Sequence, residues 1–255
     1  MCIPSYERSS SLEACLKSIR AQTFQNFEIL INKEEGPLAK LRNKLAQDAK
    51  GEYLVFIDDD VICSPGWLAA IVKTFEDRPG CAGVSGPAFI NQEFRRNRDI
   101  FSYKFFKSLY DFWFCGKRRN LPGHITVSGA WTTGACDKTC SYEGEVDFLE
   151  ACNMAYRADI FRKFGGFDES YQGVGDWSEP DLAFWIKRAG YELWFARDAG
   201  LEHRPSQSGA FKKRKKQSVI RLENYERFSR RWITPCWQHE LYKLFLKIYY
   251  ALASH

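Results

Sequence analysis

The sequence contains no run of 18 apolar residues, no repeating Cys-x-x-Cys pair, no internal repeat and no low-complexity tract. Without so long an apolar run no segment is expected to cross a bilayer as a helix, and no secretory leader is evident. A soluble or peripheral protein is therefore expected. The nine cysteines are odd in number and scattered from Cys2 to Cys236, several of them inside apolar stretches. A reduced thiol behaves there as a small hydrophobe, which argues against a disulfide framework and for a cytoplasmic compartment. A peripheral position on the inner face of the cell membrane stays open. Glycine is also missing where a phosphate-cradling loop would need it: Ser5, Tyr6, Glu7, Arg8 and Ser9 follow the first apolar stub with none.

What is present fits one large domain or two small ones. The 255 residues are 45% hydrophobic and 27% charged, enough to bury a substantial core and too apolar for disorder. Aromatic content is high at 16%, giving stacking surfaces for sugars or bases as well as core. The net charge of +5 is uneven. Basic residues crowd 212–231, a local patch suited to a phosphate-bearing or anionic membrane partner, with no nucleic acid expected.

The most informative junction spans residues 54–60, where Leu54, Val55, Phe56 and Ile57 stop at Asp58, Asp59 and Asp60. A buried strand that ends in adjacent carboxylates places hard oxygen ligands in the crevice beyond the sheet's carboxyl edge. Such a place suits Mg2+ or Mn2+ carrying a diphosphate. Around it, strand-like stretches at 2–6, 27–31 and 54–57 alternate with helical patterns at 11–22, 37–49 and 65–75. That alternation implies a mostly parallel sheet with helices on both faces. Further on, a strand is expected over 146–149, helices over 157–164 and 180–189, and a strand over 191–196. Residues 91–145 read as a helix or loop followed by strand segments. An amphipathic helix is expected over 238–252, with so wide an apolar face that it must either bury against the body or lie in a membrane interface.

Several short stretches, in this order, carry a resemblance: Ile3, Pro4, Ser5, Tyr6, Glu7, Arg8; Arg42 with Asn43; Phe56 to Asp60; Ala151, Cys152, Asn153; Gly165, Gly166, Phe167, Asp168; and Trp177, Ser178, Glu179, Pro180, Asp181. Together they resemble the inverting glycosyltransferases of family 2. The likeness covers roughly 2–90 and 144–209. It implies an α/β GT-A fold, Rossmann-like with a mostly parallel central sheet flanked by helices, here followed by a C-terminal helical extension. The implied organisation is a catalytic domain at 1–209, with its nucleotide-sugar half at 1–90 and its acceptor half at 91–209. A basic and amphipathic tail fills 210–255.

The resemblance also implies roles. Asp58 and Asp60 match the family's Asp-x-Asp pair, with Asp60, Asp58 and His203 as metal ligands for Mn2+ or Mg2+. Pro4, Tyr6, Glu7, Arg8, Arg42, Asp58 and Asp59 fall where the nucleotide is held. Glu179 is expected as general base, with Asp176 as its rival, because this chain reads Glu-Pro-Asp where many relatives carry Glu-Asp-x-Asp. The partners implied are a nucleotide-diphosphate sugar and a hydroxyl acceptor on a glycan or lipid-linked glycan. One departure concerns the base: Asn32, Lys33, Glu34, Glu35, Gly36 stand where relatives usually show an acidic pair followed by Gly-Ser. Two other classes were weighed. A nucleotidylyltransferase acting on sugar phosphates would need the glycine-rich loop that is absent, and a non-catalytic peripheral adaptor would work through 212–231 alone.

Overall fold

The computed structural model describes residues 1–6, 9–90, 107–134, 140–205 and 217–253. Its centre is a seven-stranded sheet in the order β2-β1-β3-β10-β5-β11-β9. The strands are β1 (Cys2–Pro4), β2 (Leu30–Asn32), β3 (Tyr53–Ile57), β5 (Cys81–Ser85), β9 (Gly144–Glu145), β10 (Asn153–Arg157) and β11 (Glu192–Phe195). β10 runs antiparallel between β3 and β5, and β9 runs antiparallel to β11; the other pairings are parallel. The sheet is thus mixed: five strands run one way and β10 and β9 run against them, so three of its six pairings are parallel rather than most of them. A three-stranded sheet, β4 (Val61–Cys63), β12 (Leu201–His203) and β6 (Ala88–Ile90), sits beyond its carboxyl edge, and β7 (Pro122–Ile125) pairs with β8 (Trp131–Thr133).

β3 shows why both faces are covered. Leu54 and Phe56 enter one core cluster and Val55 and Ile57 the other, since successive side chains point to opposite faces. Helices α1 (Ser9–Arg20) and α3 (Trp67–Asp77) close the second face, with Cys15, Ile19, Trp67, Ile71 and Phe75 buried at helical spacing. On the first face lie α2 (Leu38–Asp48), α4 (Ala158–Lys163), α5 (Ser178–Arg188), α6 (Ser218–Trp232) and α7 (Trp237–Ala253). Pro37, with φ −60°, precedes α2, where its missing N–H costs no helical bond.

One further sequence expectation is corrected and two open readings are resolved. Residues 146–149 form no strand, because the Asp147 and Phe148 N–H groups both donate to Gly123 O, at 2.7 and 3.1 Å, and bend the chain onto β7. The central strand of this half is instead Asn153–Arg157, which follows directly. The basic run at 227–231 belongs to the 15-residue helix α6, whose Tyr225 and Phe228 are buried. The aromatic face of α7 does dock on the body: Tyr242, Leu246 and Tyr250 join the same core cluster as Trp177 and Phe148. Residues 212–216 lie outside the described residues. Among the described residues no helix is long and apolar enough to cross a membrane.

Candidate functional site

The site grows from the end of β3. Cys2 pairs with Phe56, so the chain leaving β1 runs beside the acids that leave β3. Ser5 Oγ donates to Asp59 Oδ2 at 2.6 Å, and Asp59 is buried. Asp59 thereby ties two strand ends together. Its neighbours diverge from it: Asp58 is half-buried, and Asp60 turns toward β12.

β12 pairs antiparallel with β4 in the register His203 to Val61, and Arg204 N donates to Asp60 O at 2.8 Å. That register brings His203 Nε2 within 3.2 Å of Asp60 Oδ1. Asp58, Asp60 and His203 each offer a ligand atom, and these atoms lie within 4.8 Å of one another. Two carboxylates with one imidazole form a donor set that fits Mn2+ or Mg2+ with positions left for phosphate oxygens. The electrostatics agree with that fit. Burial disfavours a charged His203, yet Cys152 and Asp60 push its proton affinity up to about 11. Buried Asn153 steadies the approach: it accepts from Trp67 Nε1 at 2.9 Å and donates to Ala199 O at 2.9 Å, just before β12.

Arg42 connects this cluster to α5. It projects from α2 with only 1% of its side chain exposed. Its Nη1 meets Glu179 Oε1 at 2.5 Å, its Nη2 meets Asp58 Oδ1 at 3.4 Å, and the same Nη2 donates to Ala151 O at 2.9 Å. Glu179 stands in the first turn of α5, where the helix dipole favours a carboxylate, and Pro180 follows it without disturbing the helix. Burial raises the proton affinity of Glu179, while Arg42 opposes that rise. The residue before α5, Trp177, has φ 79°. A non-glycine residue in that region is strained by roughly 1–2 kcal/mol. Stacking of its ring on Phe228 at 4.9 Å and packing against Trp131 at 4.5 Å hold it there. Its ring is thus core.

The remaining expected residues separate. The Asp176 carboxylate is engaged by Arg221 Nε from α6. Asp181 is spent on α6: Arg231 Nη1 and Trp232 Nε1 donate to its two oxygens, each at 2.7 Å. Pro4 is buried and Tyr6 is exposed beside the acids. Glu7 and Arg8 lie outside the described residues. Glu34, beyond β2, pairs with Lys44 at the surface.

Sequence reasoning missed Glu150. Its carboxyl is pushed up to about 7, first by burial and then by repulsion from Glu179, against the pull of His203. It also missed Cys152, whose thiol is raised by burial and hydrogen-bonded to His203. Glu150 stands in no recognisable spacing, and Cys152 entered only as part of the stretch Ala151 to Asn153, with no role given to it. The turn into β10 is what brings them to the site.

Sheet order and the acids clustered beyond the sheet's carboxyl edge fit the GT-A class of folds. A family model described as Glycosyl transferase family 2 matches residues 31–128. A glucosyl-dolichyl phosphate glucuronosyltransferase of Haloferax volcanii is 23% identical over 203 residues, covering 69% of this chain and 57% of its own length. An uncharacterized glycosyltransferase of Haemophilus influenzae is 28% identical over 109 residues, which cover 34% of this chain and 37% of its own. The chain therefore spans little more than half the length of these relatives, or less. Two solved structures share the fold. GalNAc-T7 with UDP, GalNAc and Mn2+ superposes at TM-score 0.61 and 15% identity, covering 90% of this chain and 47% of its own. The mannosyltransferase PcManGT of Pyrobaculum calidifontis with GDP-Man and Mn2+ superposes at TM-score 0.57 and 15% identity, covering 99% and 70%. The chain is thus similar to family 2 glycosyltransferases in sequence, and the two solved structures share its fold.

Proposed function

We propose that the chain moves a sugar from a nucleotide-diphosphate donor to a hydroxyl on a glycan or lipid-linked glycan, by a single displacement with inversion. The Arg42 bridge carries this reading. One guanidinium meets both Asp58 and Glu179, so the acid that would face the donor and the acid that would take the acceptor's proton lie on either side of one side chain. Inversion needs that arrangement, since attack comes from the face opposite the leaving nucleotide.

In this reading Glu179 is the general base. Burial raises its proton affinity, and Arg42 opposes that rise. Asp176 is the rival base, and Arg221 engages it as Arg42 engages Glu179. Asp58, Asp60 and His203 would hold Mn2+ or Mg2+, which when bound neutralises charge on the leaving diphosphate. The Mn2+ in the two solved neighbours supports this choice of ion. Pro4, Tyr6, Glu7, Arg8, Arg42 and Asp59 would hold or frame the nucleotide. Residues 1–90 then serve the donor, 91–209 the acceptor, and 210–255 form a helical extension. The Haloferax relative is a glucosyl-dolichyl phosphate glucuronosyltransferase, which supports a lipid-linked acceptor.

The test is a panel of nucleotide sugars, screened by thermal shift with and without Mn2+ and then by donor turnover. One donor should raise the melting temperature only with the ion, because a ligand of the native state stabilises it. Asp60→Asn and Glu179→Gln should each remove most turnover while the circular dichroism stays native. Full turnover in both variants would overturn the reading.

A further inference from the structure

A second surface, away from the acids, combines exposed aromatics with cations. Residues Asp111–Cys115 form a single π-helical turn. Its inner side is anchored on α7: the Phe114 ring lies 4.9 Å from Tyr242 and 5.2 Å from Phe245, and Tyr110 just before it lies 5.9 Å from Tyr242. Its outer side presents Phe112 at 72% and Trp113 at 56% exposure, packed edge to face at 5.6 Å. Lys117, Arg118 and Arg119 follow immediately, all exposed. On α7 itself Trp237, Leu244 and Ile248 are exposed along one stripe, with exposed Lys247 beside them. Two adjacent large aromatics facing water are costly unless something covers them.

We infer that this turn and the outer stripe of α7 form a docking surface for an anionic lipid bilayer, with Phe112 and Trp113 entering the headgroup region and Lys117, Arg118 and Arg119 meeting lipid phosphates. Trp and Phe favour that interface because an apolar ring can sink while the polar edge stays wet. Charge decides between a bilayer and a second copy of the chain. A two-fold contact would bring like cations together, whereas an anionic leaflet complements them. The inference extends the transferase reading by naming the surface that would bring a lipid-linked acceptor to the enzyme. It stands on its own geometry, and its test uses no nucleotide sugar.

The full chain is floated with vesicles of phosphatidylcholine alone and of phosphatidylcholine mixed with phosphatidylglycerol. Binding is expected to the anionic vesicles, weakening as salt rises. Reversing all three charges (Lys117→Glu, Arg118→Glu, Arg119→Glu) should lower partition by about 100-fold or more, since each cation near such a surface contributes roughly a fivefold factor. Phe112→Ser with Trp113→Ser should lower it by about tenfold or more and remove most quenching of tryptophan emission by brominated lipid. All five side chains are exposed, so the melting temperature should hold. Equal partition on neutral vesicles, no partition, or variants that bind like the wild type would each overturn the inference. So would a dimer by light scattering that Leu244→Ser with Ile248→Ser splits, which would give the stripe to self-association. If vesicles bind but no donor is turned over, only the transferase reading falls.

Discussion

At the scale of single residues, Arg42 sets the balance of the site. It is a buried cation between two carboxylates, and removing it leaves both without their shared partner. Arg42→Met should therefore lower stability by about 3–5 kcal/mol, the usual cost of stranding a buried charge, read from urea melts. Asp60→Asn should affect the ion instead: the melting-temperature rise that Mn2+ gives the wild type should vanish, while the ion-free melt changes little. Glu179→Gln should cut turnover by about 100-fold or more, the typical share of a positioned base, with the Michaelis constant for donor nearly unchanged. Asp58, Asp60, Glu179 and His203 were all legible as candidates because strand ends, helix starts and carboxylates are local signals. Glu150 was not, since its perturbation comes first from burial in the assembled core and then from Glu179, 29 positions away in sequence.

At the scale of elements, close approaches and paired charges hold the site's walls. A Cβ on Gly86 would lie 2.1 Å from Ala199 O, so the corner after β5 passes the turn before β12 with no room for a methyl group. Backbone cannot swing aside as a side chain can. Gly86→Ala should cost about 1–3 kcal/mol by overpacking and weaken the Mn2+ response, because the strand displaced carries His203. On the far side, burial works to raise Asp147, yet His124, the Ile125 N–H and Lys187 outweigh it and hold its carboxyl at about 2. Its folded value lies below the ordinary carboxylate value, so its contribution is complete above about pH 4 and is lost as pH falls toward 2. Acid melts of the wild type should show this loss, and Asp147→Asn should flatten it. The bend at 146–149 was misread as a strand for a related reason: the apolar pattern is local, whereas the hydrogen bonds that bend it come from Gly123.

At the scale of the whole molecule, the C-terminal helices are part of the core. Tyr225 and Phe228 of α6 pack on Trp177, and Tyr242 of α7 packs on Tyr225 and Phe114. Removing one such ring should be felt throughout, and Tyr242→Ala should lower stability by about 3–5 kcal/mol, measured by thermal and urea unfolding. Because Trp177 immediately precedes Ser178 and Glu179, looser packing there should also reduce donor turnover at temperatures where the chain is still folded. An unchanged ratio of turnover to folded fraction would count against that coupling.

By itself the sequence determined the alternation of strands and helices, the acids at the end of β3 and the acid at the start of α5. Periodicity, turn chemistry and strand-end carboxylates are written within a few residues of chain. Only the tertiary structure decided which of those groups come together, because that depends on register. The antiparallel pairing of β12 with β4 delivers His203 to Asp60, and the packing of α2 against α5 lets one guanidinium join Asp58 to Glu179. It also decided which aromatics of the tail are buried and which face outward, since a helix apolar on nearly every side does not reveal its partner until the core is assembled.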